Sequence, residues 1–316
     1  MKKLLVLLLL VCIAFIARSQ PVKEHGSLKV VGTQLTDSNN QPMVLNGMSF
    51  GWSCFHPRFY TAGAVKELHK KWNCNVVRAA MGIEPDGGYL KDPRTNTKLI
   101  TTVVDAAIKE GIYVIIDWHS HNIQLREAKD FFRKMATAYH KYPNVIYEIF
   151  NEPDYETWAE VKAYSTEIIS TIRAIDSTNI ILVGSPRWDQ DVHLPAADPI
   201  KGFSNIMYTM HFYAGTHKQW LRDRTDSALA MGLPIFVSES AGMSATGDGN
   251  MDHEEWAKYI EWMEERKISW ITWSVSDKDE SCSVLTTSAS SDGNWNGNDL
   301  KVSGILTREY LQSKKR

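Results

Sequence analysis

Residues 111–119 read Gly111-Ile112-Tyr113-Val114-Ile115-Ile116-Asp117-Trp118-His119. The apolar run is too short for a buried helix, and it is β-branched at Ile112, Val114, Ile115 and Ile116 without alternating with polar residues. That pattern describes a strand covered on both faces, as strands are in a parallel sheet. It ends on Asp117 and His119, polar groups that packing alone does not call for. Working outward, runs of the same kind occupy Val44–Phe50, Asn75–Met81, Tyr113–His119, Val145–Asn151, Ile180–Ser185, Asn205–Tyr213, Pro234–Ser240 and Ser269–Ser276. Amphipathic helical patterns lie between them, at Leu99–Glu110, Leu125–His140, Trp158–Ile175, Gln219–Met231 and Glu254–Lys267. Eight strand–helix units in a chain of 316 residues predict an α/β fold, a single (β/α)8 TIM barrel. A doubly wound open sheet would carry a G-x-G-x-x-G turn after its first strand, and the sequence has none.

Barrels of this kind place their active sites at the C-terminal ends of the strands. The polar residues closing the eight runs should therefore converge: Ser49, Arg78, Asp117, His119, Asn151, Glu152, His211, Tyr213, Glu239 and Trp273. Two carboxylates dominate this set. Glu152 follows the fourth run and Glu239 ends the seventh, so they should face one another across the mouth. A pair of carboxylates across a sugar-sized gap is the equipment of glycosidic cleavage, one acid protonating the leaving oxygen while the other attacks or activates water. A retaining mechanism requires them about 5 Å apart.

Composition agrees with an enzyme acting on neutral ligands. Lys plus Arg number 35 against 37 for Asp plus Glu, a net charge of −2, which argues against a nucleic-acid partner. The eleven Trp residues suit the faces of sugars. Residues 1–19 have the form of a signal peptide, with Lys2 and Lys3, an apolar Leu4–Ile16 and a small-x-small Ala17-Arg18-Ser19. The expected product is a secreted or periplasmic protein, free of the membrane after cleavage, with residues 20–316 as the catalytic domain. Cys54, Cys74 and Cys282 remain after cleavage; they allow at most one disulfide and have no zinc-ligand spacing. Gly47-Met48-Ser49-Phe50-Gly51 matches a G-x-S-x-G elbow, but Pro57 follows in an irregular stretch where the elbow needs a helix. His119 and His121 could share a metal, yet no spaced third ligand accompanies them, so neither a metal nor an organic cofactor is expected. Asp248–Asp252 lacks the rest of a calcium loop, and Ser281–Asn298 reads as a long loop bordering the cleft.

The segment Tyr147-Glu148-Ile149-Phe150-Asn151-Glu152-Pro153 resembles the acid/base signature of glycoside hydrolase family 5. The resemblance extends through Trp72–Met81, Gly111–His119, Met210–His217, Ile268–Ser274 and Asp277-Lys278, in order along the chain, and is strongest to the secreted bacterial endo-β-1,4-glucanase (cellulase) branch. It implies a retaining endo-β-1,4-glucanase acting by double displacement on a β-glucan polysaccharide or oligosaccharide, as a monomer. Glu152 would be the acid/base and Glu239 the nucleophile. Asn151 would bond the 2-hydroxyl, Arg78 and Tyr213 would hold the nucleophile ionised, and His119 and His211 would contact the sugar and the acid/base. Trp273 would be a stacking platform, with Lys278 and Glu280 on hydroxyls beyond it. Glu152 is expected to keep its proton near neutral pH beside an ionised Glu239. Three positions depart from the family: Ser240 after the nucleophile, Gly51 where relatives carry His, and Gly82 where they carry a sugar-stacking Tyr; Trp52 could replace that platform. These departures leave open a member acting on mannan, xyloglucan or mixed-linkage glucan. A glycan-binding barrel without catalysis is the reading from another class.

Overall fold

The structure, a computed structural model, describes residues 20–314; the expected signal peptide lies outside the described residues. An antiparallel pair comes first, β1 (Lys29–Val31) and β2 (Gln34–Thr36). The barrel strands follow as β3 (Asn46–Phe50), β4 (Val76–Gly82), β5 (Tyr113–His119), β6 (Val145–Glu148), β7 (Ile181–Val183), β8 (Ile206–Tyr213), β9 (Ile235–Ala241) and β10 (Trp270–Val275). They are parallel and close in chain order, β10 pairing with both β9 and β3. The expected TIM barrel is what forms, and its strands match the eight apolar runs to within a few residues.

The helices begin and end where local chemistry dictates. Asp92 caps the helix Pro93–Glu110 by accepting from Thr95 N, Pro93 opens it, and Gly111 ends it at φ 74°. Thr157 and Glu160 form a capping box at the start of Trp158–Arg173. The sequence reading missed β1 and β2, the helix Ala62–Lys70 and the helix Val302–Ser313.

Alternation along the strands divides the apolar side chains into two cores. Val77, Ala79, Val114, Ile116, Tyr147 and Ile181 point outward and meet the helices. Val76, Ile115, Ile146, Leu182, Met207, Phe236 and Ile271 point inward, where Leu28, Leu35, Met43 and Leu45 close the N-terminal end. The next inward positions up the barrel are Arg78, Asp117, Glu148 and Thr209, all wholly buried. The barrel interior thus changes from apolar to ionic partway along its axis.

One irregularity aims the seventh barrel strand. Thr209 pairs with Phe236, but His211 pairs with Glu239, so β9 carries one residue more than β8 between the two pairs. This bulge turns both Ser238 and Glu239 toward the His211 side, which a regular two-residue period would forbid.

Candidate active site

Arg78 is the hub of the buried ionic layer. Its Nε donates to Glu148 Oε2 at 2.7 Å, Nη1 to Glu239 Oε2 at 3.1 Å and Nη2 to Asn151 Oδ1 at 2.5 Å, while Nη2 also lies 3.0 Å from Asp117 Oδ2. Burial opposes its charge, but Asp117, Glu148 and Glu239 outweigh that and hold the guanidinium firmly protonated. Three carboxylates sharing one cation cannot all be fully compensated. Asp117 accordingly stays well above the usual carboxylate range, through burial and the neighbouring acids.

Glu239 has both oxygens engaged, Oε2 by Arg78 and Oε1 by the Tyr213 hydroxyl, which donates at 2.7 Å. Glu152 stands opposite, its Oε1 2.9 Å from His211 Nδ1 and its Oε2 3.8 Å from His121 Nδ1. One oxygen of Glu152, one of Glu239 and a ring nitrogen of His211 all lie within 4.8 Å of one another. The two carboxylates therefore meet at the short separation expected of them.

The family model for cellulase (glycosyl hydrolase family 5) matches residues 36–279. The chain belongs to glycosyl hydrolase family 5. Among its relatives, an endoglucanase of Clostridium saccharobutylicum is 44% identical over 293 residues, a match covering 90% of this chain and 65% of that protein. The chain therefore spans less than two-thirds of that relative's length. A solved structure from Cytophaga hutchinsonii is 44% identical with a TM-score of 0.91, covering 92% of this chain and 96% of that one. The catalytic domain of Thermobifida fusca endoglucanase Cel5A is 36% identical with a TM-score of 0.88, covering 93% and 100%. A structure of that domain in complex with cellotetraose superposes equally well, at 0.88 and 35% identity.

In this family 5 site the protonation differs from the sequence expectation. Burial favours a protonated Glu152, but the hydrogen bond and charge of His211, helped by His121 and Arg78, outweigh it and bring Glu152 below its ordinary value. Glu239 is raised instead, by burial and by the charge of Glu152, against the pull of His211, Arg78 and Tyr213. The expectation considered only the two acids; the histidine between them draws Glu152 the other way.

A cleft of about 600 Å³ lies above the pair, lined among others by Trp52, His119, His121, Trp273, Lys278 and Glu280. His119 donates to or accepts from Asp117 Oδ2 at 2.7 Å and lies parallel to Trp273, 5.1 Å between centroids and 3° between planes. Its ring is held well below the usual histidine value by burial and by Arg78, so it is neutral. Trp52 meets the edge of His119 and stacks on His121 at 5.7 Å and 19°. Gly82 explains why: a Cβ there would lie 2.6 Å from Cys54 Sγ and 3.1 Å from Trp52 Cε3, so these two side chains fill the space a larger residue would need. Lys278 and Glu280 form an ion pair on the rim.

Every expected site residue reaches this cleft or the ionic layer under it. The sequence reading weighed His121 only as a possible metal partner of His119, whereas from the loop after β5 it flanks Glu152. It gave no role to Glu148, although the quoted signature contains it, nor to Asp189, which lies 3.3 Å from His211 Nε2. Exposed Tyr155 and Trp188 pack together at the rim, their rings 6.2 Å apart. The G-x-S-x-G match is incidental. Ser49 is buried in β3 between Phe50 O and Arg78. The Ser281–Asn298 loop packs against the first barrel connection, with Arg58 donating to Ala289 O and Thr287 O. Cys54 is half-buried beside Gly82, and Cys74 and Cys282 are buried.

Proposed function

We propose that this protein is an endo-β-1,4-glucanase that works by retaining double displacement, and that it acts outside the cytoplasm. The observation that carries the reading is the approach of Glu152 and Glu239 to within 4.8 Å in an open, aromatic-lined cleft, which suits attack by a carboxylate and leaves little room for an interposed water. The names of the relatives and the cellotetraose complex support a β-glucan as ligand.

In the first step Glu239 attacks the anomeric carbon while Glu152 protonates the departing oxygen, forming a glycosyl ester on Glu239. In the second step Glu152 takes a proton from water, which attacks the same carbon and frees Glu239. Arg78 and Tyr213 aim the two Glu239 oxygens. The proton that Glu152 delivers is shared with His211 Nδ1. Once it sits on Glu152 the like charge facing Glu239 disappears and the nucleophile ionises more readily. Asn151 is oriented by its Oδ1 contact with Arg78, and its buried Nδ2 has no hydrogen-bond partner among the described residues. That amide is suited to donate to a sugar 2-hydroxyl, where hydrogen bonds strengthen in the transition state.

Reducing-end release from carboxymethyl-cellulose, mixed-linkage glucan, xyloglucan and mannan tests the proposal. Cleavage of the cellulose derivative by the wild type, with retained anomeric configuration and loss in Glu239→Gln, supports it. The filled space at Gly82 favours keeping a second substrate in view, and cleavage of mannan or xyloglucan alone would replace the glucan. Binding without cleavage would refute the catalytic reading. Export is tested by sequencing the N-terminus of protein recovered outside the cells.

A further inference from the structure

Asp189 is a wholly buried carboxylate that the mechanism above does not use. It reaches the barrel interior through an unusual backbone. Arg187, Trp188 and Asp189 have φ values of 58°, 55° and 59°, three consecutive non-glycine residues in the left-handed region. Such residues are strained and normally occur singly. The turn is held by Trp188 N donating to Pro153 O at 2.9 Å, directly after the acid/base. It delivers the carboxylate to a defined set of partners. Oδ1 accepts from Ser185 N at 2.5 Å, Oδ2 accepts from Thr209 Oγ1 at 2.7 Å, and Oδ2 faces His211 Nε2 at 3.3 Å. The other ring nitrogen of His211 is the one bonded to Glu152.

We propose that Asp189 is a positioning residue, which orients the His211 ring and biases which partner of the His211–Glu152 hydrogen bond holds the proton. This rests on the reading of Glu152 as acid/base. The groups facing His211 come from every neighbouring element. Glu148 lies 3.8 Å from Nε2 at the end of β6, and the Ser238 hydroxyl 2.8 Å from it on β9. Glu239 on β9 and Asp117 on β5 act through their charges, while His119 on β5 and His217 beyond β8, both held neutral, stand nearby. Among the groups that favour a protonated ring Asp189 contributes most, against burial, which opposes charge on the ring and also lifts the Asp189 carboxyl while His211, Thr209 and Ser185 pull it down. A charged ring draws Glu152 toward its ionised form, so Asp189 works on the acid through one intervening imidazole.

The test is the pH profile of kcat/KM on a soluble β-glucan. In Asp189→Asn, His211 surrenders its imidazolium proton at lower pH, and Glu152 no longer faces a cation. The limb on which the acid proton is lost should then move up by about one pH unit, with KM changed less than about twofold. The histidine ring NMR titration should show His211 moving down in parallel. Thr209→Val, which removes one donor to Asp189 while keeping the side-chain shape, should move the limb the same way by less, and it decides the matter should Asp189→Asn not fold. An unmoved limb and an unmoved His211 in a folded variant overturn the proposal. Glu152→Gln separates the two levels of argument. If it retains full turnover, the acid/base reading fails; if it is inactive while Asp189→Asn leaves the limb in place, only the role of Asp189 fails.

Discussion

Replacing Arg78 by Met removes the one guanidinium that Glu148, Glu239, Asp117 and Asn151 share. Arg78, Glu148 and Asp117 have no exposed surface, and Glu239 is 4% exposed, so water cannot replace the lost contacts without rearrangement. Taking one partner out of a buried ionic group costs about 3–5 kcal/mol, since the remaining charges stay in a poorly polarisable interior. At about 2.1 cal/mol/K per residue, unfolding roughly 295 ordered residues carries about 0.6 kcal/mol/K of entropy, so the melting temperature should fall by roughly 5–8 °C at pH 7. The loss has a sign with pH. Without Arg78 the carboxylates lie above their unfolded values, so the folded variant prefers them protonated. Its deficit should be largest at neutral pH and shrink as pH falls through the usual carboxylate range. Calorimetry of wild type and Arg78→Met at several pH values between about 4 and 7 measures both quantities. A fall below about 2 °C at pH 7, or a deficit that grows on acidification, would refute the picture of a single cation balancing this layer.

Two further outcomes follow from particular contacts. His217 accepts from Tyr213 N at 2.8 Å and is depressed to about 4 by burial, so the fold prefers its neutral ring. Its contribution, about 3 kcal/mol, is complete above pH 6.5 and lost as pH falls toward 4, and His217→Gln should flatten that part of the stability–pH curve in urea titrations. Gly82→Ala should cost about 1–3 kcal/mol by overpacking against Cys54 and Trp52. The double variant with Cys54→Ala should recover most of that loss, and failure to recover it would mean that Cys54 does not set the limit.

Burial on both faces made the barrel strands legible: a run such as Tyr113–His119 has to be apolar from end to end until it reaches the rim, and β5 begins and ends where that run does. Glu152, Glu239, Arg78, Asn151, His211 and Tyr213 were legible as members of one cluster for the complementary reason, as polar groups with no place in such runs. Asp189 was hidden because three left-handed residues leave no mark in the sequence when none is glycine, and an Asp in a short connection looks like a cap. The pull of His211 on Glu152 was hidden as well. It depends on which nitrogen of His211 meets which carboxylate, and that is a matter of angles that spacing does not encode. The pair β1 and β2 was too short to carry a period, at three residues each.

The extra residue in β9 makes the catalytic centre sensitive to count as well as to kind. Connections between strands and helices can lengthen or shorten at modest cost, since they lie outside the ladder. Between Thr209 and His211 on one strand, and Phe236 and Glu239 on the next, the tally is fixed. Removing a single residue between Phe236 and Glu239 would restore regular pairing and keep Glu239 on the inner face, but Ser238 and Glu239 could then no longer both face His211. A lineage carrying this barrel can therefore exchange outward side chains of β9 for others of like size, whereas shortening that strand by one takes the Ser238 hydroxyl from His211, a cost that libraries built by insertion and deletion should register.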